Sequence, residues 1–186
     1  MSLANQNIED LIVLCKQKNP KAEFEIYNRY CKAMYNVAYR IVNDSHFAED
    51  VLQEGFLKAF LKINDYKQEV AFGAWLKRII INHSIDFCKK NNAFKASDLD
   101  KVLFKIEDNP TETEFDFTDL KVEQLMQTIK SLKDNYRMVL TLFFIEGYDH
   151  EEISEILNIT YANCRTTLSR AKESLRNALA AINGTP

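Results

Sequence analysis

"HEEISEILNITYANCRTTLSRAKESLR", residues 150–176, reads as two short helices around a tight break. Asp149 just ahead of it and Glu152 three residues later fit a capping box, in which each side chain satisfies the other residue's backbone N–H. A helix is therefore expected to start there, with Ile153, Ile156 and Leu157 as its buried edge. Asn158 tolerates the left-handed conformation that ends a helix, and Thr160 can cap the next one. The break is only Asn158-Ile159-Thr160, the turn length of a helix-turn-helix.

In the second helix Cys164, Leu168, Ala171 and Leu175 share one face at about 100° per residue. Opposite them lie Ala162, Thr166, Ser169 and Glu173, flanked by Arg165 and Arg170. Such a small, polar, arginine-edged face suits a DNA major groove, where arginine reaches guanine edges or phosphates and hydroxyls make short hydrogen bonds. A helical hairpin with a solvated charged face fits the same residues, so the segment alone leaves both readings open.

The composition bounds the rest. The chain has 186 residues, 46% hydrophobic, with 4 Gly and 3 Pro, which predicts an all-α fold of one medium or two small domains. No apolar run approaches bilayer length, and the start (MSLANQNIEDL) has no basic region or apolar signal core, so no membrane insertion and a cytoplasmic location are expected. Cys15, Cys31, Cys88 and Cys164 form no CxxC pair, and neither a zinc site, another metal nor a disulfide is expected. The net charge is −3, unevenly spread: 13 Lys/Arg against 11 Asp/Glu in residues 1–93, 3 against 8 in 94–120, and 8 against 8 in 121–186. Affinity for phosphate backbones grows with the number of neutralising cations, so this chain should hold DNA weakly without a larger partner.

Apolar periodicity divides the chain further. Ile8, Leu11, Ile12 and Cys15 mark a short helix stopped at Asn19-Pro20. A longer one carries Phe24, Tyr27, Tyr30, Cys31, Met34, Val37, Ala38 and Ile41. Asp44 or Ser45 caps "HFAEDVLQEGFLKAF", whose buried stripe is Val51, Leu52, Phe56, Ala59 and Phe60, with Glu49, Asp50, Gln53 and Glu54 outside. After "NDYKQEV" a helix runs through "FGAWLKRIIINHSIDFCKK", completing a plausible bundle. Residues 94–120, with Pro110 and eight acids, read as an acidic linker, and the helical period returns with Val122, Leu125, Met126 and Ile129.

"AEDVLQEGFLKAF" followed by "FGAWLKRIIINHSIDFCKK" resembles region 2 of a bacterial RNA polymerase sigma factor. The resemblance is to the compact extracytoplasmic-function (ECF) subfamily of the sigma-70 family, which keeps only the second and fourth sigma domains. "KNPKAEFEIYNRY" resembles the family's opening, and "SLKDNYRMVLTLFFIEGYDHEEISEILNIT" its fourth domain. Two departures stand out. The subfamily usually has Leu-Pro where this chain has Leu132-Lys133, and Asn163-Cys164-Arg165-Thr166-Thr167-Leu168 stands where TVKSRL is common, with Thr167 in place of an arginine.

The resemblance implies a sigma factor that binds core RNA polymerase and promoter DNA, acts as one copy on the polymerase, and has an anti-sigma protein as a further candidate partner. Region 2 would be residues 1–93, the linker 94–120 would thread the polymerase cleft, and region 4 would be 121–186. Glu49, Asp50, Gln53 and Glu54 would dock on a coiled coil of the largest polymerase subunit. Tyr66 and Lys67, in the base-capture loop 66–72, together with Lys77, Arg78 and Asn82, would engage the −10 element, with Trp75 as core. Asn163, Arg165, Thr166, Ser169, Arg170 and Lys172 would engage the −35 element.

An enzyme is the first rival. His46, His83 and His150 are isolated, and neither a Gly-rich phosphate loop nor a Ser/His/Asp arrangement appears, so no catalysis and no cofactor are expected. A dimeric helix-turn-helix regulator would need tight DNA binding alone, which the charge balance disfavours. A helical interaction module would leave the second helix of the hairpin unexplained.

Overall fold

The computed structural model describes residues 3–90 and 122–183, and all regular structure among them is helical. The acidic stretch 94–120 lies outside the described residues. The chain forms two compact units, Met1–Cys88 and Lys89–Pro186.

In the first unit, short polar side chains set the helix boundaries. α1 (Ile8–Lys16) is capped by Asn7, whose Oδ1 accepts from Asp10 N–H at 2.7 Å. α2 (Pro20–Val42) starts with Asn19 as cap and Pro20 in the first turn, where the missing N–H costs nothing. It ends at Asn43, in the left-handed region at φ 61°. Asp44 then caps α3 (Ser45–Leu61), accepting from Phe47 N–H at 3.1 Å. A 3₁₀ turn, Ile63–Asp65, and a loop lead to α4 (Phe72–Lys90).

Leu11, Ile12, Ile26, Ile41, Leu76, Ile80, Ile81 and Ile85 fill the core of this bundle, each almost fully buried. The stripe of α2 differs from expectation at its start. Phe24 is 65% exposed and Tyr27, Tyr30 and Cys31 are half-buried, while Ala22 and Ile26 are buried in their place. Ala22, Ile26, Met34, Ala38 and Ile41 keep the three- and four-residue spacing, and Phe24 lies about 200° round the helix from Ala22. At Gly55 a methyl group would collide with Ile80 Cδ1, so the absent side chain lets α3 and α4 approach closely.

The second unit holds α5 (Val122–Ser131), α6 (Asp134–Leu140), α7 (His150–Leu157) and α8 (Tyr161–Asn183). α6 begins after Lys133 at φ −54°, the range a proline would hold, so the helix starts where a Leu-Pro pair would start it. α6 runs into a π turn, Thr141–Ile145, in which Glu146 N–H reaches back five residues to the Thr141 carbonyl at 3.0 Å. Gly147 at φ +79° turns the chain toward α7. Met138, Leu140, Leu142, Ile153, Leu157, Leu168 and Leu175 make the core.

α7 and α8 form the expected helix-turn-helix. Asp149 Oδ1 accepts from Glu152 N–H at 2.8 Å, and Glu152 Oε2 accepts from Asp149 N–H at 2.9 Å, completing the capping box. Asn158 closes α7 at φ 57°, and Thr160 Oγ1 accepts from Asn163 N–H at 3.2 Å to open α8. Among the described residues no helix is long and apolar enough to cross a membrane.

Candidate functional surfaces

α3 buries Ala48, Val51, Leu52, Gly55, Phe56 and Ala59, so its other side faces out. There Glu49, Asp50, Gln53 and Glu54 are all exposed, and Leu57 and Leu61 continue the strip at 64% and 83% exposure. The result is a band of acids and an amide ending in two leucines, able to meet a basic helical surface that also offers apolar side chains. The leucines were not among the expected contacts. Near a helix end the sequence does not distinguish apolar residues that close the core from those left outside.

Beneath this strip stands His83 of α4, 7% exposed. Its Nδ1 lies 2.6 Å from Lys58 Nζ and its Nε2 2.9 Å from Glu54 Oε2, the latter without the angle of a formed hydrogen bond. Burial, reinforced by the Lys58 ammonium, pushes the imidazole below its ordinary pKa, with Glu54 and Asp86 pulling the other way.

The loop before α4 departs from expectation at Tyr66. The ring is buried rather than presented, 7% exposed, with its hydroxyl donating to the Val70 carbonyl at 2.7 Å. Phe72 and Trp75 pack against it at centroid distances of 5.4 and 5.2 Å, and Tyr30 closes on Phe72 at 5.5 Å. Tyr66 thus ties the loop to the core through its ring and its hydroxyl. Sequence position placed it correctly on the loop, but its burial depends on aromatic partners from α2 and α4. Trp75 joins this cluster half-buried. The loop itself exposes Lys67, Gln68 at φ 62°, Glu69 and Val70, the last at 54%. On α4 Asn82 is exposed and Lys77 and Arg78 are half-buried.

On α8 the expected burial of Cys164, Leu168, Ala171 and Leu175 holds, and Thr167 joins them at 5% exposure. A threonine at 167 therefore packs inward. Ala162, Arg165 and Ser169 are exposed, with Asn163, Thr166 and Arg170 half-buried beside them. The Thr166 hydroxyl donates to the Ala162 carbonyl at 2.9 Å, leaving its lone pairs to accept. The Lys172 ammonium sits 4.6 Å from the Phe143 ring centroid and 5.6 Å from that of Phe144. Tyr161, 48% exposed at the first position of α8, was not anticipated. Its ring stands 6.1 Å from that of His150, which in turn lies 5.3 Å from Phe143.

Among the described residues no group of three or more His, Cys, Asp or Glu could hold a metal ion. Two outward surfaces differ in character, one acidic and apolar on α3, one cationic and polar on α8.

Comparison with known proteins matches residues 26–94 to the family model Sigma-70 region 2 and residues 122–175 to Sigma-70, region 4. The chain is similar to the ECF RNA polymerase sigma factor SigM of Bacillus subtilis, 31% identical over 152 residues that cover 82% of this chain and 91% of that protein. It is also similar to SigW of the same organism, 29% identical over 92% of this chain and 96% of SigW. In fold it resembles the sigma factor RpoE of Bartonella quintana, solved in complex with the anti-sigma factor NepR, at a TM-score of 0.55 and 17% identity, covering 83% of this chain and 94% of that one.

Proposed function

The chain belongs to the sigma-70 family, in its extracytoplasmic-function branch, and on that premise we propose how its two units divide the work of initiation. It is a sigma factor that binds core RNA polymerase and directs promoter-specific transcription initiation.

The first unit, with the sequence to residue 93, docks on the polymerase through α3. Glu49, Asp50, Gln53 and Glu54 supply the charge, and Leu57 and Leu61 the apolar end. The same unit takes the −10 element: Lys67 and Val70 on the loop, and Lys77, Arg78 and Asn82 on α4, face the opened strand. Opening without fuel relies on trapping an unstacked base, whose pocket contacts offset a few kcal/mol of unstacking. The Tyr66–Val70 hydrogen bond and the aromatic cluster behind it support this by pre-forming the loop, which lowers the ordering cost of capture. The second unit reads the −35 element with α8, where Arg165, Thr166, Ser169, Arg170 and Asn163 share the outer side. The chain brings no catalytic centre of its own to this work; the polymerase supplies the chemistry, in the cytoplasm. The acidic stretch 94–120 has the charge to occupy a basic nucleic-acid channel until RNA displaces it.

The observation that carries this reading is the pairing, in one chain, of an exposed acidic strip on α3 with a capped helix-turn-helix whose outer face is small and polar. In vitro transcription with core polymerase, genomic fragments and this protein, with 5′ ends mapped, tests it. New starts sharing −35 and −10 elements, lost on Arg165→Ala or Arg170→Ala, are expected. Tight DNA binding by the protein alone, with no new start, would instead make it a self-sufficient regulator.

A further inference from the structure

His83 lies on α4, yet both of its ring nitrogens face side chains of α3, one helical turn apart: Glu54 and Lys58. An ammonium has only donors, so Nδ1, 2.6 Å from Lys58 Nζ, must be the accepting nitrogen. The proton then sits on Nε2, 2.9 Å from the Glu54 carboxylate but not aligned with it. That carboxylate is 64% exposed and free to rotate into a full hydrogen bond. The imidazole, 7% exposed, thus stands between two exposed, oppositely charged side chains of the outward strip.

We infer that His83 is a positioning residue for the polymerase-facing strip: its neutral ring anchors the Lys58 ammonium and steadies Glu54, so that the strip presents its acids unopposed. The inference rests on the reading of α3 as the polymerase contact.

Protonation of the ring reverses both contacts. Nδ1–H would face the Lys58 ammonium, donor against donor and charge against charge, and Lys58 would swing out among the acids. At the same time an imidazolium would draw Glu54 inward as an ion pair. Each movement makes the strip less negative. The charged groups facing His83 are Glu54 and Lys58 from α3 and Asp86 from its own helix. The depressed basicity keeps the ring neutral at pH 7, so the loss belongs to acid conditions.

The test is an equilibrium titration of the full-length chain onto core RNA polymerase between pH 5.5 and 8, with wild type, His83→Gln, His83→Leu and Asp50→Ala in parallel. Wild type should weaken by on the order of fivefold toward the acid end, beyond any change that the polymerase itself imposes on all variants. His83→Gln, whose uncharged amide can accept from Lys58 and donate to Glu54, should match wild type at pH 8 and lose the extra acid sensitivity. His83→Leu should bind several-fold more weakly than wild type at pH 8 and show no extra loss toward the acid end, with helix content and Trp75 emission unchanged. If His83→Leu does not fold, the pH profile of His83→Gln decides alone. A profile for His83→Gln that parallels wild type, while Asp50→Ala weakens binding, overturns the role of His83 and leaves the α3 reading intact. No effect of Asp50→Ala, nor of any His83 variant, overturns the α3 reading itself.

Discussion

Gly55→Ala isolates the close approach of α3 and α4. An alanine in a helix interior is worth about 1 kcal/mol more than glycine. Its methyl group, however, would collide with Cδ1 of Ile80, a residue with no exposed surface and nowhere to send that atom. Overpacking of this kind costs about 1–3 kcal/mol, so the net is a destabilisation of roughly 0–2 kcal/mol. Ile80→Val removes the colliding atom at a cost of about 0.5–1.5 kcal/mol. In that background Gly55→Ala should turn favourable by about 1 kcal/mol, giving a coupling of roughly 1–3 kcal/mol across the pair. The full chain has 1 tryptophan, Trp75, and it lies in the first unit, so urea denaturation followed by its fluorescence reads that unit alone. If Gly55→Ala stabilises both backgrounds equally, the two helices are not held by this contact and the packing argument is refuted.

The geometry carries three further outcomes. Asp149→Ala removes one hydrogen bond of the capping box and frees the Glu152 side chain, and should cost about 1 kcal/mol, seen as an earlier loss of helical circular dichroism outside the Trp75 transition. Lys172→Met keeps the apolar stem over Phe143 but removes the charge, and should leave the salt dependence of promoter-DNA binding unchanged, whereas Arg165→Ala should reduce its slope by about one unit. For His83 the folded-state pKa lies below the unfolded value, so the unfolded chain binds more protons as pH falls. Its contribution is therefore complete at neutral pH and eroded below about 6.5, the ordinary imidazole value. Acid titration of Trp75 emission should show His83→Gln unfolding at a lower pH than wild type, and coincident curves would rule this out.

What the sequence discloses is local chemistry. Asp44, the Asp149–Glu152 pair and Thr160 each mark a helix start through hydrogen bonds spanning three residues, and the structure makes all of them, whereas Asn7 and Asn19 cap α1 and α2 without having been read as caps. The inner face of α8 was equally legible, because Cys164, Leu168, Ala171 and Leu175 repeat at helical spacing. Features built from distant parts of the chain were not. Tyr66 turns inward because Phe72 and Trp75 lie against it. The Lys172 ammonium meets Phe143 and Phe144 because both rings belong to the π turn, far from it in sequence. His83 looked isolated because its partners, Glu54 and Lys58, belong to another helix. Phe24 failed for a different reason, since a large apolar side chain carries no label saying which side of a helix end it occupies.

The π turn at Thr141–Ile145 holds one residue more than a regular helical turn would, and the surplus is absorbed before Gly147. Deleting a single residue there would let the ordinary repeat resume, whereas a deletion inside a regular helix rotates every later side chain by about 100°. Chain length is therefore adjustable at this point in a way it is not within α7 or α8, where an insertion would carry the arginines off their face. A lineage can lose a residue in this turn and answer for it locally, in the seating of Phe143 and Phe144, while α8 keeps its register.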